Sequence, residues 1–355
     1  MSALAIAGEQ AQESTMAADL STAVQRVKTI LDRVYSPCAP GSGANWKPHA
    51  FDQSSANRRY LWSDAFGVCN CLSLYYATSA NQEPQKQTYL AQADALIADV
   101  HDQLGRFRFR FGDHARLSWM FALNRMNVAR QDPRYNRWAV QLAETAHGRF
   151  VVRDERDGRA VQLVWKMAVD LQHAEVDSEG NLDPMEALVI YRLLQRHSEG
   201  QEKPLQTEIA ELERLMQRKL ATLVTNDELD AGEALWLAQW AAELFDEAPW
   251  TLRLHHVALA SLDAIFQRCR VRGPPNQRLL FREMGAVLGL QVGVLLHPQG
   301  GGIGGTEQER WRQRVAVLLR YWEELLYARD ADISPLMYAA ALLPGVWSPW
   351  QQPHT

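Results

Sequence analysis

The chain is poor in the residues that usually advertise a chemistry. Only four of its 355 residues are cysteine: Cys38, Cys69, Cys71 and Cys269. None falls into a CxxC pair or a Cys/His zinc spacing. Cys69 and Cys71, two apart on one expected helix, point to different faces and cannot join, so the thiols read as reduced and the protein as cytoplasmic. No apolar run approaches the roughly 18 residues needed to span a bilayer, so a membrane is not an expected partner. Met1 to Ser14 holds Ala3-Leu4-Ala5-Ile6-Ala7 without a basic stretch ahead of it, which reads against a secretory leader. Ser2 to Leu20 reads instead as a mobile tail before a single domain over 21–355. Positive charge is not in excess either. With 37 Lys and Arg against 42 Asp and Glu, the net charge of −5 leaves nothing to neutralise a phosphate backbone, and nucleic acid is not an expected partner. His114 and the pair His255-His256 form no HExxH spacing. The run Gly300-Gly301-Gly302-Ile303-Gly304-Gly305 lacks the GK[ST] ending and preceding strand of a phosphate loop. It reads as a flexible loop or lid, and no metal and no cofactor is expected.

What is plentiful is apolar material, 47% of the chain, and tryptophan, with 12 copies. Trp can fill a large helical core or stack on a flat ligand. The chain also repeats itself. Tyr89, Ala93, Leu96 and His101 recur at identical offsets as Tyr135, Ala139, Leu142 and His147, a period of 46 residues that signals a repeat architecture. Apolar periodicity predicts helices over Thr22–Val34, Leu61–Thr78, Thr88–Leu104, Arg116–Arg130, Arg134–Arg149 and Asp183–His197. It predicts six more over Leu205–Leu223, Ala231–Phe245, Trp250–Arg268, Arg278–Leu296, Thr306–Tyr327 and Pro335–Leu343. Arg106 to Phe111 reads as extended. Phe150 to Trp165, broken by Asp157-Gly158, reads as a β-hairpin.

The helices alternate between one wet face and none. Helices that are apolar all round must be covered on all sides. Six of them, each followed or preceded by a one-faced helix, fit two concentric rings: an all-α (α/α)6 toroid of six hairpins with a small β-hairpin insertion. In such a ring the starts of the inner helices share one rim. The polar residues there are Trp62 and Asp64; Asp113, His114 and Arg116; Asp183 and Glu186; Asp230 and Glu233; Arg282 and Glu283; Asp332 and Ser334.

Several acids on an aromatic-lined funnel is the layout of glycosidic chemistry. One carboxyl protonates the leaving oxygen while a second activates water or attacks the sugar. The expected catalytic residues are Asp64, Asp183 and Glu283, with Trp62, His114, Arg116, Lys166 and Glu233 binding substrate. Each acid has a plainer use. Asp64, Asp183 and Asp230 sit where N-caps belong, Glu186 where a capping-box partner belongs, and Glu283 can pair with Arg282 or Lys166.

Certain strings resemble a known family: Trp62-Ser63-Asp64-Ala65-Phe66-Gly67-Val68, Val100-His101-Asp102-Gln103-Leu104-Gly105-Arg106, Phe121-Ala122-Leu123-Asn124-Arg125, Trp165-Lys166-Met167 with Asp170-Leu171, and Gly180-Asn181-Leu182-Asp183-Pro184. Over roughly Leu61 to Gln195 the chain looks like a bacterial and fungal branch of the six-hairpin glycosidase-like superfamily. Where relatives carry a Gly-rich insert, this chain has the shorter, basic Arg106 to Arg116. The resemblance implies the toroid and a small-molecule or oligosaccharide substrate. It leaves open a hydrolase, a sugar 2-epimerase with His114 or His255 turned inward, and a non-hydrolytic tailoring enzyme or binding module, which a dry, narrow funnel would favour.

Overall fold

The computed structural model describes residues 3–49, 59–104, 111–168, 171–200, 203–246, 248–268, 273–297 and 302–351. The expected extended run up to residue 110, Cys269, most of the glycine run, and the side chains of Asp113 and His114 lie outside the described set.

The described helices form six outer–inner pairs. The outer members are α1 (Ala3–Val34), α3 (Glu83–Leu104), α5 (Pro133–Phe150), α7 (Gln206–Thr222), α9 (Trp250–Gln267) and α11 (Gly305–Glu323). The inner members are α2 (Leu61–Ala77), α4 (Asp113–Arg130), α6 (Asp183–Arg196), α8 (Glu228–Leu244), α10 (Leu280–Leu290) and α12 (Ile333–Leu342). Each inner helix packs on the next around the ring. The ring closes because α12 packs on both α2 and α1. The molecule is thus the expected (α/α)6 toroid. The division into wet and dry helices is visible in burial: α2 is buried continuously from Ser63 to Leu74, whereas α5 buries only a stripe including Ala139, Ala143 and His147. His147 is one of the repeat's outer-ring residues, and its Nε2 lies 3.0 Å from Glu211 on α7. Arg153 clamps the same carboxylate at 2.6 and 2.9 Å, tying hairpin to outer ring.

The insertion is larger than one hairpin. β2 (Val151–Arg153) and β3 (Ala160–Leu163) form it, turning at Asp157-Gly158 with Gly158 at φ +71°, a conformation that suits glycine. A second antiparallel sheet joins β1 (Phe111–Gly112), β4 (Lys166–Met167) and β5 (Ala174–Val176) in the order β1-β4-β5. Because β1 runs straight into α4, this sheet fixes the start of an inner helix.

Helix starts differ from expectation on α2, α6 and α8; on α2 the N-cap is Tyr60, and Asp64 lies inside the first turn. α8 is capped by Asp227, whose Oδ1 accepts from Leu229 and Asp230 N–H at 2.9 and 3.3 Å. Asp230 instead accepts from Asn181 Nδ2 at 2.7 Å. Asp183 is the first residue of α6, following Leu182, and its carboxylate accepts from Gly180 N–H at 3.1 Å. Glu186 N–H bonds to the Leu182 carbonyl in the helical ladder, and the N-cap side chain makes no capping bond.

The tightest inner-ring contact is between α8 and α10. A Cβ on Gly232 would run into the Gly285 carbonyl, and one on Gly289 into the Gly232 carbonyl. Glycine at both allows the two backbones to touch. Beyond α10 the helix widens into a π segment, Gln291–Leu295.

Candidate active site

On the toroid axis lies a cavity of ≈ 50 Å³ lined by residues of all six inner helices. Trp62 and Phe66 come from α2, Ser118 from α4, Glu186 from α6, Glu233 and Trp236 from α8, Gly285 and Gly289 from α10, and Met337 from α12. Trp62, Phe66, Ser118, Glu186 and Glu233 fall within the first two turns of α2, α4, α6 and α8, so the cavity sits toward the rim where the inner helices begin. Its other end is closed by Trp347, in a short 3₁₀ turn (Gly345–Trp347) after α12. Trp236 and Trp240 both donate their indole N–H to the Trp347 carbonyl at 2.9 Å. Phe121 stacks on the Trp347 ring at 5.1 Å and 19°, and Phe66 lies 4.5 Å from it. Below this floor Arg125 is buried between Phe121 and Trp240, and burial pulls its guanidinium down to about 10.

Among the described residues, the two acidic side chains lining this cavity are Glu186, 2% exposed, and Glu233, half-buried. Trp62 stands half-buried beside them, edge-on to Phe66 and Phe281 at 6.1 and 6.0 Å. Of the expected site residues, then, the structure brings Trp62 and Glu233 to a common cavity and adds Glu186, which the sequence offered only as a capping partner.

The expected catalytic trio is held elsewhere. Asp64 is fully buried and bound by Arg59 through two bonds of 3.0 and 3.2 Å. Arg59 also reaches Asp99 on α3 at 3.0 Å, so the pair faces the outer ring. Burial pushes the Asp64 carboxyl up against the pull of Arg59. Glu283 is gripped by Arg278 at 2.7 and 2.5 Å and accepts from the Trp322 indole of α11 at 2.7 Å, so it too is aimed outward. Its partner is neither Arg282, which pairs with Asp227, nor Lys166. Asp183 binds the loop before α6. None of the three lines the axial cavity.

Arg116 is buried with Nη1 3.1 Å from the Tyr191 hydroxyl and lines a separate cavity behind α4. Lys166 is half-exposed over the Trp165 ring at 4.3 Å. His255 is buried on the outer helix α9, where burial lowers its pKa and the Gly293 backbone is its partner. Asp332 caps α12 through Ile333 N–H at 2.7 Å; burial, with Asp330 and Asp64 nearby, raises its carboxyl to about 6. Among the described residues no group of three His, Cys, Asp or Glu side chains could hold a metal ion.

No protein-family model and no curated protein matches the chain. Solved structures do. The GH76A α-1,6-mannanase of Salegentibacter sp. HEL1_6 superposes with a TM-score of 0.58 at 11% identity, over 94% of this chain and 100% of that one. An inactive variant of that mannanase with two Asp-to-Asn changes, in complex with α-1,6-mannotriose, gives 0.56 at 11% identity over 91% and 98%. Cellobiose 2-epimerase from Spirochaeta thermophila DSM 6192 gives 0.52 at 13% identity over 81% and 85%. What this chain shares with these proteins is the fold, a closed (α/α)6 ring of six helical hairpins.

Proposed function

We propose that the protein is a carbohydrate-active enzyme of glycoside-hydrolase type, with Glu186 and Glu233 as its carboxylate pair and Trp62 as the platform for a sugar ring. One observation carries this reading: six inner helices converge on one axial cavity and bring to it two carboxylates beside an aromatic wall. In hydrolysis one member of the pair protonates the departing glycosidic oxygen. The other takes a proton from water as its oxygen bonds to the anomeric carbon. At ≈ 50 Å³ the cavity has room for about four waters and none for a sugar ring. The sugar therefore sits at the mouth against Trp62, with the water enclosed beneath it. Asp64, Asp183 and Glu283 serve as scaffold, fixing the starts of α2, α6 and α10. The fold shared with the mannanase and the epimerase supports sugar chemistry as the class, and the substrate is a small molecule or oligosaccharide.

The epimerase alternative needs a histidine at the cavity, and none of the described lining residues is one. The cavity's narrowness favours a second reading, a toroid that binds sugar without cleaving it. The two are separated by assaying a panel of α- and β-linked oligosaccharides for reducing-end release and for binding. Hydrolysis predicts turnover that falls roughly 100-fold or more in Glu186→Gln and in Glu233→Gln, with both variants folded. Binding without release selects the second reading. Wild-type turnover in either variant removes the carboxylate pair from the mechanism.

A further inference from the structure

Where α10 ends, the helix widens into a single π turn, Gln291–Leu295. Its mark is the bond from Leu296 N–H to the Gln291 carbonyl at 2.8 Å, five residues back. Leu288 and Gly289, immediately before it, line the axial cavity. A π turn interrupts the regular ladder, so its backbone groups draw support from outside their own helix. Gly293 packs so closely on α8 that a Cβ there would come 3.1 Å from that of Leu235. Gln308 of α11 donates to the Val294 carbonyl, and Gln291 donates to the Ala341 carbonyl of α12. Both bonds measure 3.4 Å, the long and weak end of the range. The remaining support is His255 of α9, whose ring has the Gly293 backbone as its partner.

His255 is 6% exposed, and its Nε2 is buried with no hydrogen-bond partner. A neutral imidazole tolerates this, because one of its nitrogens is a bare lone pair. An imidazolium carries an N–H on both nitrogens, and the second would be buried without an acceptor. Burial lowers the His255 pKa, and His256 on the same helix and His297 just past the π turn act in the same direction. The Gly293 backbone and Glu307, in the first turn of α11, act against them. We propose that His255 is an acid-sensitive latch on the π turn. Neutral, it ties outer helix α9 to the segment that follows the cavity-lining turn of α10; protonated, it releases that segment. The direction follows from linkage. Folding favours the neutral ring, so the latch contributes fully above the ordinary histidine value of about 6.5. Its contribution is lost as pH falls through the lower folded-state value. The contact of α8 with α10 is made by glycines and has nothing to titrate, so the release stays local to the π turn.

The test is hydrogen–deuterium exchange of the intact chain from about pH 7.5 down to about pH 4.5, the range that brackets histidine titration. Each rate is divided by the intrinsic rate at that pH. Amides of 291–296 should lose protection by about tenfold or more, while those of Leu117–Leu123 on α4 should change by less than about twofold. In His255→Gln, which keeps a donor and removes the titration, the response at 291–296 should shrink to less than about twofold. Should that variant fail to fold, His255→Asn takes its place, and the wild-type profile remains decisive by itself. Protection at 291–296 that stays constant across the range overturns the proposal, as does a full acid response in the folded variant. An acid loss of equal size at Leu117–Leu123 would mean general loosening and would overturn the latch as well.

Discussion

The same device appears at the start of two inner helices: an arginine five residues ahead of an acid in the first turn. Arg59 holds Asp64 on α2, and Arg278 holds Glu283 on α10. In both the carboxylate is held by the cation, and an outer helix is tied in: Asp99 of α3 through Arg59, and Trp322 of α11 through Glu283 itself. Removing one member of such a pair leaves a buried charge without its counterion and costs about 3–5 kcal/mol, whereas replacing both can be nearly neutral. Urea denaturation should accordingly show Arg278→Met destabilised by about that amount. The double variant Arg278→Met, Glu283→Gln should recover part of the loss. A single variant as stable as the wild type would show that the pair anchors nothing. The spacing was legible in the sequence, and it separates these anchors from Glu186 and Glu233, which have no arginine five residues ahead of them. The carboxylates of the axial cavity were harder to pick out, because a residue's facing around a buried helix is not fixed by hydrophobic pattern when every face is apolar.

Asp332 carries a prediction of its own. Its carboxyl is raised from 3.8 to about 6, chiefly by burial and further by Asp330 and Asp64, while the bond from Ile333 N–H pulls the other way. A raised folded-state value means the native state holds the proton more tightly than the unfolded chain. This group's contribution to stability is therefore fully present below about pH 4 and is lost as pH rises through about 6. The shift corresponds to roughly 3 kcal/mol at most. Asp332→Asn keeps an effective cap and removes the titration. At pH 8 it should melt above the wild type, and at pH 4 the two should converge. An unchanged difference in melting temperature across that range would exclude Asp332 as the group responsible.

At the scale of elements, the contact of α8 with α10 fixes the width of the axial cavity. Gly232, Gly285 and Gly289 let the backbones meet, and Gly232, Gly285 and Gly289 all line the cavity. Gly232→Ala has no flexible side chain opposite it to move aside, only the Gly285 carbonyl. Overpacking typically costs 1–3 kcal/mol, and about 3 kcal/mol is expected here because backbone must shift. The offsetting helix-propensity gain is about 1 kcal/mol, so a net loss of about 2 kcal/mol should be read in denaturant melts. Helix existence and the wet–dry alternation were legible because each depends on composition over many turns. So was the hairpin at Asp157-Gly158, since its turn needs a left-handed residue. The second sheet was not, because two- and three-residue strands such as Lys166–Met167 and Ala174–Val176 carry no period. Helix starts were missed for a related reason: Asp227 and Asp230 are equally good caps in composition, and only the geometry of the loop from Thr225 selects Asp227.

For the whole molecule, ring closure brings the first and last described α-helices together, with α12 against α1 and α2, and the turn after α12 seals the axis. Trp347 is the seal. Its ring meets Phe66 of α2 and Phe121 of α4, and its carbonyl takes the indole N–H of Trp236 and Trp240 from α8. Three inner helices separated by long stretches of sequence thus share one side chain from the last described residues. Trp347→Ala keeps the carbonyl and so both hydrogen bonds, but it empties the floor. A buried Trp→Ala change costs about 3–5 kcal/mol. The vacated space lies directly under the ≈ 50 Å³ cavity and should merge with it. Two measurements follow from one variant. The melting transition should move down as a single cooperative step, because ring neighbours unfold together. With the sugar at the mouth as proposed, oligosaccharide binding should weaken far less than in Trp62→Ala, because Trp347 closes the opposite end of the cavity. A split, two-step transition would mean that the hairpins are held pairwise and that the seal does not couple the ring.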